Sequence, residues 1–310
     1  MLYVLGRDLE RTEHLARLVR VHFELSLDRS VHPERRFWAN LLQLAGWPAP
    51  DAVVRDHAIA MVLGDPSGPS LRQTLESARR AAQAVRPSLS IEVWEQVNAL
   101  YWRLSDAGWQ GEPYTYLHQV ELGTQLVAGL VDDTMAHDEA WHFVKLGKHL
   151  ERAGNVTHLV TRKSRELAEA GEDPIAWASV LRSCASLEAF RLRYGVATGA
   201  QTVARFLLLD RMIPRSASYC LAAALTAVEG IDRRGGTSPP HRVLGRLAAS
   251  FEHADPVEVG ASPQRLAAHF DEQWADLHRA LRSSYFQPSQ LALELAGDQL
   301  SRHPQQQQQS

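Results

Sequence analysis

The chain has 310 residues, 45% of them hydrophobic, and a formal net charge of −3. That length exceeds a usual single domain and gives ample material for a packed interior, while the lack of a basic excess removes the electrostatic case for nucleic acid. The two cysteines, Cys184 and Cys220, suit small reduced core residues better than a disulfide framework.

Helical periodicity starts at the N-terminus. Leu5, Leu9, Thr12, Ala16, Val19 and Phe23 recur in steps of three and four, one stripe at about 100° per residue, so a helix is expected over 2–27. Arg7, Asp8, Glu10 and Arg11 interrupt its first turns, which excludes a secretory apolar segment. No run approaches the roughly 20 apolar residues of a membrane span, and a soluble, cytoplasmic protein is expected. Further helices are expected over 33–45, 50–63, 70–86, 89–105 and 113–133. Pro33, Gly46-Trp47-Pro48, the turn Asp65-Pro66-Ser67-Gly68-Pro69, Pro87, and Gly111 with Pro113 punctuate them. A second series is expected over 136–170, 174–194, 200–209, 215–233, 238–253 and 262–283. Its breaks fall at Gly171 and Pro174, Gly195 and Gly199, Pro214, and Gly235-Gly236 with Pro239-Pro240. The last stretch, 297–310, ends in five glutamines and reads as a disordered low-complexity tail.

The two series resemble each other. Leu5-Gly6-Arg7-Asp8-Leu9-Glu10-Arg11 returns 141 positions later as Leu146-Gly147-Lys148-His149-Leu150-Glu151-Arg152, and Leu18-Val19 falls on Leu159-Val160 in the same register. Asp65, Pro69 and Ser70 likewise answer Asp210, Pro214 and Ser216. The fold expected is therefore an all-α helical bundle of two pseudo-symmetric repeats of about six helices, 1–134 and 135–296, sharing one core. On the helical wheel Arg11 lies between Leu15 and Leu18, and Arg152 between Val156 and Leu159. Both arginines project into an apolar sector, while Glu10 and Glu151 lie on the other edge of the polar face. A guanidinium cannot shed its charge and needs carboxylate or carbonyl partners when packed among leucines. Each arginine is thus expected to find its partner on another helix rather than in its own dipeptide. An internal ion pair is the plainer reading; a shared cleft holding an anionic or peptide ligand is the sharper one.

Other candidates are weaker. Asp210-Arg211-Met212-Ile213-Pro214-Arg215-Ser216 looks like a helix start, with Pro in the first turn and Ser as cap, and backbone N–H groups beside Arg215 would suit a carboxylate or phosphate. Arg79, Arg80 and Arg86 read by default as solvated surface, and Trp94 with Asn98 as packing plus a buried polar tie. Glu139-Ala140-Trp141-His142 is a Glu-x-x-His sequence, but di-iron bundles need a second copy, which the chain lacks. Glu10 and His14 have ligand spacing, yet Asn155 stands in place of the second histidine. No metal and no cofactor are expected. A phosphate loop, a dinucleotide fingerprint, a nucleophile elbow and a recognisable Cys-His arrangement are all missing from the sequence.

These residues together resemble the bacterial alpha-E domain family, a helical domain named for a Glu-Arg motif. The likeness rests on Leu5-Gly6-Arg7, Glu10-Arg11, Phe37-Trp38, Leu41-Leu42, Gly46-Trp47, Ala78-Arg79, Val85-Arg86, Trp94 and Asn98. It continues through Asp133-Thr134-Met135, Trp141, Phe143, Gly147, Glu151-Arg152 and Pro214-Arg215-Ser216. The chain departs from the family pattern at Ala81 and Gln83, where the family usually has Asn and Arg, and at Lys148 and His137, where it has Arg. The sequence begins close to its first motif, so a family-typical turn before it is expected to be short or missing. The resemblance implies an association with circularly permuted ATP-grasp proteins similar to peptide ligases, and with transglutaminase-like proteins. It implies a role in peptide ligation, modification or tagging and assigns no catalytic residue.

Three functions remain open on these grounds. One is a non-catalytic partner that docks an ATP-grasp-type ligase or its peptide. Another is an enzyme acting on a peptide or amide bond, with Arg7, Arg11, Arg152 and Arg215 holding an anion and Glu10 or Glu151 as acid or base; arginine neighbours keep a carboxylate charged and weaken it as a base. The last is a scaffold. Arg7, Glu10, Arg11, Arg79, Arg86, Lys148, Glu151, Arg152, Asp210, Arg215 and Ser216 form the candidate polar cluster.

Overall fold

The computed structural model describes residues 1–26, 34–48, 52–105, 108–171, 173–232 and 238–286, which form fourteen α-helices and no strand. They are α1 (Leu2–Ser26), α2 (Glu34–Leu44), α3 (Arg55–Gly64), α4 (Leu71–Ala84), α5 (Ile91–Ser105), α6 (Pro113–Thr134) and α7 (Glu139–Ala170). There follow α8 (Pro174–Ser183), α9 (Leu187–Tyr194), α10 (Ala200–Leu209), α11 (Ala217–Asp232), α12 (Pro239–Glu252), α13 (Pro256–Ala261) and α14 (Pro263–Leu281). Among the described residues no helix is long and apolar enough to cross a membrane. Pro33, Gly235-Gly236 and the tail 297–310 lie outside the described residues.

The stripe that predicts α1 is the one it buries: Leu5, Thr12, Ala16 and Val19 are inaccessible to solvent, as are Leu146, Leu150, Ala153, Thr157 and Val160 on α7. α1 packs against α7, α4 and α6, and α7 against α1 and α11. α5 joins α4 and α6, and α12 joins α11 and α14. α1 is a central helix, not an amphipathic surface one. Asp8, Glu10, Glu13, Arg17 and His22 are buried along with its leucines.

Two glycines bring α1 and α7 into backbone contact. A Cβ on Gly6 would overlap the Val144 carbonyl oxygen, and a Cβ on Gly147 would overlap that of Tyr3. These contacts are reciprocal, because Val144 stands to Tyr3 as Gly147 stands to Gly6, 141 positions on. Contacts further along join Glu10 and Arg11 to Arg152 and Glu151, so the two helices run in the same direction.

Two stretches differ from expectation. The helix expected over 174–194 is two helices, broken where Ala185 takes a left-handed backbone at φ 48°; the Ser186 N–H bonds back to the Leu181 carbonyl at 2.8 Å, which closes α8 without glycine. The gap expected at 254–261 holds α13, started by Asp255, whose carboxylate accepts the Val257 N–H at 2.7 Å ahead of Pro256 in the first turn. Cys184 and Cys220 are free and buried, and burial pushes both thiols up to about 12.

Candidate functional site

The Glu-Arg dipeptides exchange partners across the α1–α7 contact. Arg11 donates Nε and Nη2 to Glu151 at 2.7 and 3.0 Å, and Arg152 donates the same two nitrogens to Glu10 at 2.7 and 2.5 Å. Both are bidentate forks, the strong geometry for an arginine and a carboxylate. Their surroundings differ. The Arg152 and Glu10 side chains are 8% and 3% exposed, whereas that of Arg11 is 38% exposed. Arg11 does not sink into an apolar sector as the wheel suggests; it reaches Glu151 along the open edge of the contact.

Around Glu10 and Arg152 the polar side of α1 forms a buried network. Glu13 accepts from Arg17 at 2.9 Å, from Gln125 at 3.2 Å and from Arg215, and Arg152 stands 3.9 Å away. Arg17 and Arg20 both reach Glu121 of α6, at 2.9 and 2.6 Å, and Arg20 continues to Glu24 at 2.6 Å. Burial alone would raise the Glu13 carboxyl, but Arg215, Arg152 and Arg17 outweigh it and hold the group at about 2. Burial likewise opposes the charge of Arg152, and the Glu10 carboxylate more than offsets it. Glu10, Glu13, Glu121, Arg17 and Arg152 each have an oppositely charged partner, as a low-dielectric interior requires.

On the other side of the contact, beside Arg11 and Glu151, lies a groove of about 400 Å³. His14, Asn155, His158, Arg162 and Trp274 line it. The positions that carry Glu13 and Arg17 on α1 are Gly154 and His158 on α7. Where one side of the contact is filled with ion pairs, the other has a glycine with the Trp274 ring against it.

The Alpha-E family, described as "a predicted alpha-helical domain with a conserved ER motif", matches residues 1–286. The chain belongs to the Alpha-E family. Among curated proteins it is 27% identical over 241 residues to "Uncharacterized protein Rv2567" of Mycobacterium tuberculosis (strain ATCC 25618 / H37Rv), a match covering 74% of this chain and 27% of that protein. It is 26% identical over 241 residues to "Uncharacterized protein Mb2597" of Mycobacterium bovis, with the same 74% and 27% covered. The chain thus spans about a quarter of the length of these relatives. No solved structure matches.

The Alpha-E polar residues read from the sequence divide into four groups. Glu10, Arg152 and Arg215 meet in the buried network, with Arg11 and Glu151 across the contact. Asp210 and Ser216 lie at the start of α11: Ser216 Oγ accepts the Tyr219 N–H at 3.1 Å as its cap and donates to the Asp210 carbonyl, while the Asp210 carboxylate pairs with Arg193. Pro214 precedes that helix instead of occupying its first turn, and its carbonyl accepts from Arg152 at 3.4 Å. Arg215 turns inward to Glu13 rather than toward a ligand at the helix start.

Lys148 lines a water-sized space of about 30 Å³ with Glu10 and Glu13, and burial brings its ammonium down to about 8. The remaining three lie elsewhere. Arg7 pairs with its neighbour Asp8 at 2.7 Å. Arg79 and Arg86 are not merely solvated: Arg79 donates to Asn98 at 2.9 Å and lies 4.6 Å over the Tyr101 ring, and Arg86 lies 5.4 Å over Trp94. They fasten α4 and the turn after it to α5.

Glu13, Arg17, Arg20 and Glu121 escape the sequence reading. Their signal is the spacing of Glu10, Glu13, Arg17, Arg20 and Glu24, steps of three and four down one face of α1. Alternating charge at that spacing is ordinarily a solvated face.

Proposed function

We propose that this Alpha-E chain is an accessory protein of an ATP-grasp-type peptide ligase system in the cytoplasm, binding the ligase or an anionic peptide ligand in the course of peptide ligation, modification or tagging. The observation that carries this reading is the groove beside Arg11 and Glu151, a space large enough for a few residues of peptide and lined by cationic and amide groups. Family resemblance supplies the ligase, and a transglutaminase-like protein is a second partner of the same kind. The Glu-Arg motifs favour binding over acid–base catalysis. Glu10 is held by both prongs of Arg152 with Arg215 3.8 Å away, an arrangement that fixes a charge in place rather than passing a proton.

Residues 1–134 and 135–296 we infer to be two copies of one helical unit around a common core. This is supported by the reciprocal glycine contacts and ion pairs, and by α4 and α11 each packing on the leading helix of its own half.

The test is to mix the purified chain with the ATP-grasp ligase encoded in the same genome. Co-elution on gel filtration, together with a changed rate of ADP release in the presence of peptide, is the expected result. Separate elution with an unchanged rate would overturn the ligase assignment.

A further inference from the structure

Lysine occurs at three positions in the chain, Lys145, Lys148 and Lys163, and the rest of its 33 basic residues are arginine. Two of the three lysines have carboxylate partners: Lys145 pairs with Asp132 at 2.9 Å and Lys163 with Glu166 at 2.7 Å. Lys148 differs. Among the described residues its Nζ has no carboxylate within ion-pairing distance and donates no hydrogen bond. The repeated motif shows what it lacks. Its counterpart Arg7 is answered by the next residue, Asp8, at 2.7 Å, whereas the residue after Lys148 is His149. Burial holds that imidazole neutral, so it offers no countercharge.

The nearby carboxylates are already committed. Both prongs of Arg152 hold Glu10, Arg17 and Arg215 hold Glu13, and Asp132 takes Lys145. The Lys148 ammonium is thus a surplus charge in a half-buried position, which it relieves by giving up its proton. Burial, with Arg152 and Lys145 on its own helix, outweighs Glu10 of α1 and Asp132 of α6 and brings the group down to about 8. Roughly a tenth of it is then free amine at pH 7, against far less than a hundredth for an ordinary lysine.

The space beside Lys148 decides what that amine can take. It is about 30 Å³, walled by Leu9, Val127, Val131 and Val144, with half-buried Ala128 at its lip; it has room for no more than about three added non-hydrogen atoms. Three reactions of an amine with a small electrophile differ in the charge they leave. An aldehyde gives an imine, a cation again once protonated, and carbon dioxide gives a carbamate anion against Glu10 and Glu13. Acylation leaves a neutral amide, which removes the surplus charge and adds none.

We propose that Lys148 is a modification site for a small acyl group such as acetyl, delivered by an acyl phosphate, whose compact leaving group suits a narrow opening. The Nζ lone pair attacks the acyl carbon, the bond from that carbon to the phosphate oxygen breaks, and the Nζ proton leaves with the phosphate as hydrogenphosphate. The reaction needs no ligase partner.

The full-length chain would be incubated with acetyl phosphate over a range of pH, and the acylation of each lysine followed by peptide mass spectrometry. Lys148 should react at least about tenfold faster than Lys145 or Lys163 at neutral pH, and its rate should level off above pH 8 while theirs still rise. Benzoyl phosphate should show no such preference, because its ring exceeds the space. Ala128→Glu, which brings a carboxylate to the lip, should slow Lys148 by about tenfold and leave Lys163 unchanged. The comparison among the three lysines needs no variant, so the test holds if Ala128→Glu fails to fold. Acylation of Lys148 no faster than that of the other two, a rate that climbs with theirs past pH 8, or a preference kept with benzoyl phosphate would overturn the proposal.

Discussion

Arg11 and Arg152 are the same residue in the same motif with the same bidentate geometry, yet their burial makes them unequal. Removing one partner of a buried pair strands the other charge, at a cost of about 3–5 kcal/mol, whereas exposed pairs contribute about 0–1 kcal/mol. Arg152→Ala should therefore lower stability in urea unfolding by several kcal/mol and Arg11→Ala by about 1 kcal/mol or less; equal losses would contradict the assigned environments. Acidity separates two further residues. Glu13 has a folded value of about 2 against an ordinary 4.5, so its contribution is complete above 4.5 and disappears as pH falls through 2. His14, held neutral at about 4 against 6.5, penalises the folded state earlier, as the unfolded chain takes up a proton between 6.5 and 4. Melting temperature followed against pH should fall in both windows, with His14→Asn flattening the upper one and Glu13→Gln the lower. The exchange of partners between the dipeptides was legible from the wheel because each arginine faces away from its own glutamate. The carboxylates that complete the network were not, since Glu121 lies on a helix whose placement no local pattern gives.

At the scale of the helix, the close crossing of α1 and α7 depends on Gly6 and Gly147. Alanine at either position must drive a methyl group into a carbonyl oxygen, and both helices are too firmly packed to separate freely. Overpacking of this sort costs about 1–3 kcal/mol. Gly6→Ala and Gly147→Ala should each destabilise by that order in chemical denaturation. The double variant should cost less than their sum, because both open the same contact. Strict additivity would mean that the two glycines act separately. Helix number and extent were largely readable, since three-and-four periodicity and Pro or Gly punctuation coincide. The break after Cys184 was not, because its left-handed residue is an alanine. The Asp255-Pro256 start of α13 carries a capping pair, but so short a helix has no apolar stripe to go with it.

Across the whole molecule, the main apolar core runs without interruption from α1 residues such as Leu15 and Val19, through Leu146 and Trp177, to Phe270 and Leu281. Beside it lies a second cluster around Leu5, Ala78, Val97 and Val127, closed by Val144 of α7. Calorimetric unfolding should show one transition, with the ratio of van't Hoff to calorimetric enthalpy near one; two resolved transitions would mean that the halves are independent domains.

Neither Glu-Arg dipeptide satisfies itself; each is half of two bonds. A chain carrying such a unit once would have to find its complement on another molecule, and two copies side by side would reproduce the crossing of α1 and α7 as a homodimer interface. With both segments in one chain, the crossing of α1 and α7 is intramolecular and independent of concentration. One flank of that crossing is sealed with Glu13 and Arg17, while the other, at Gly154 and His158, is open.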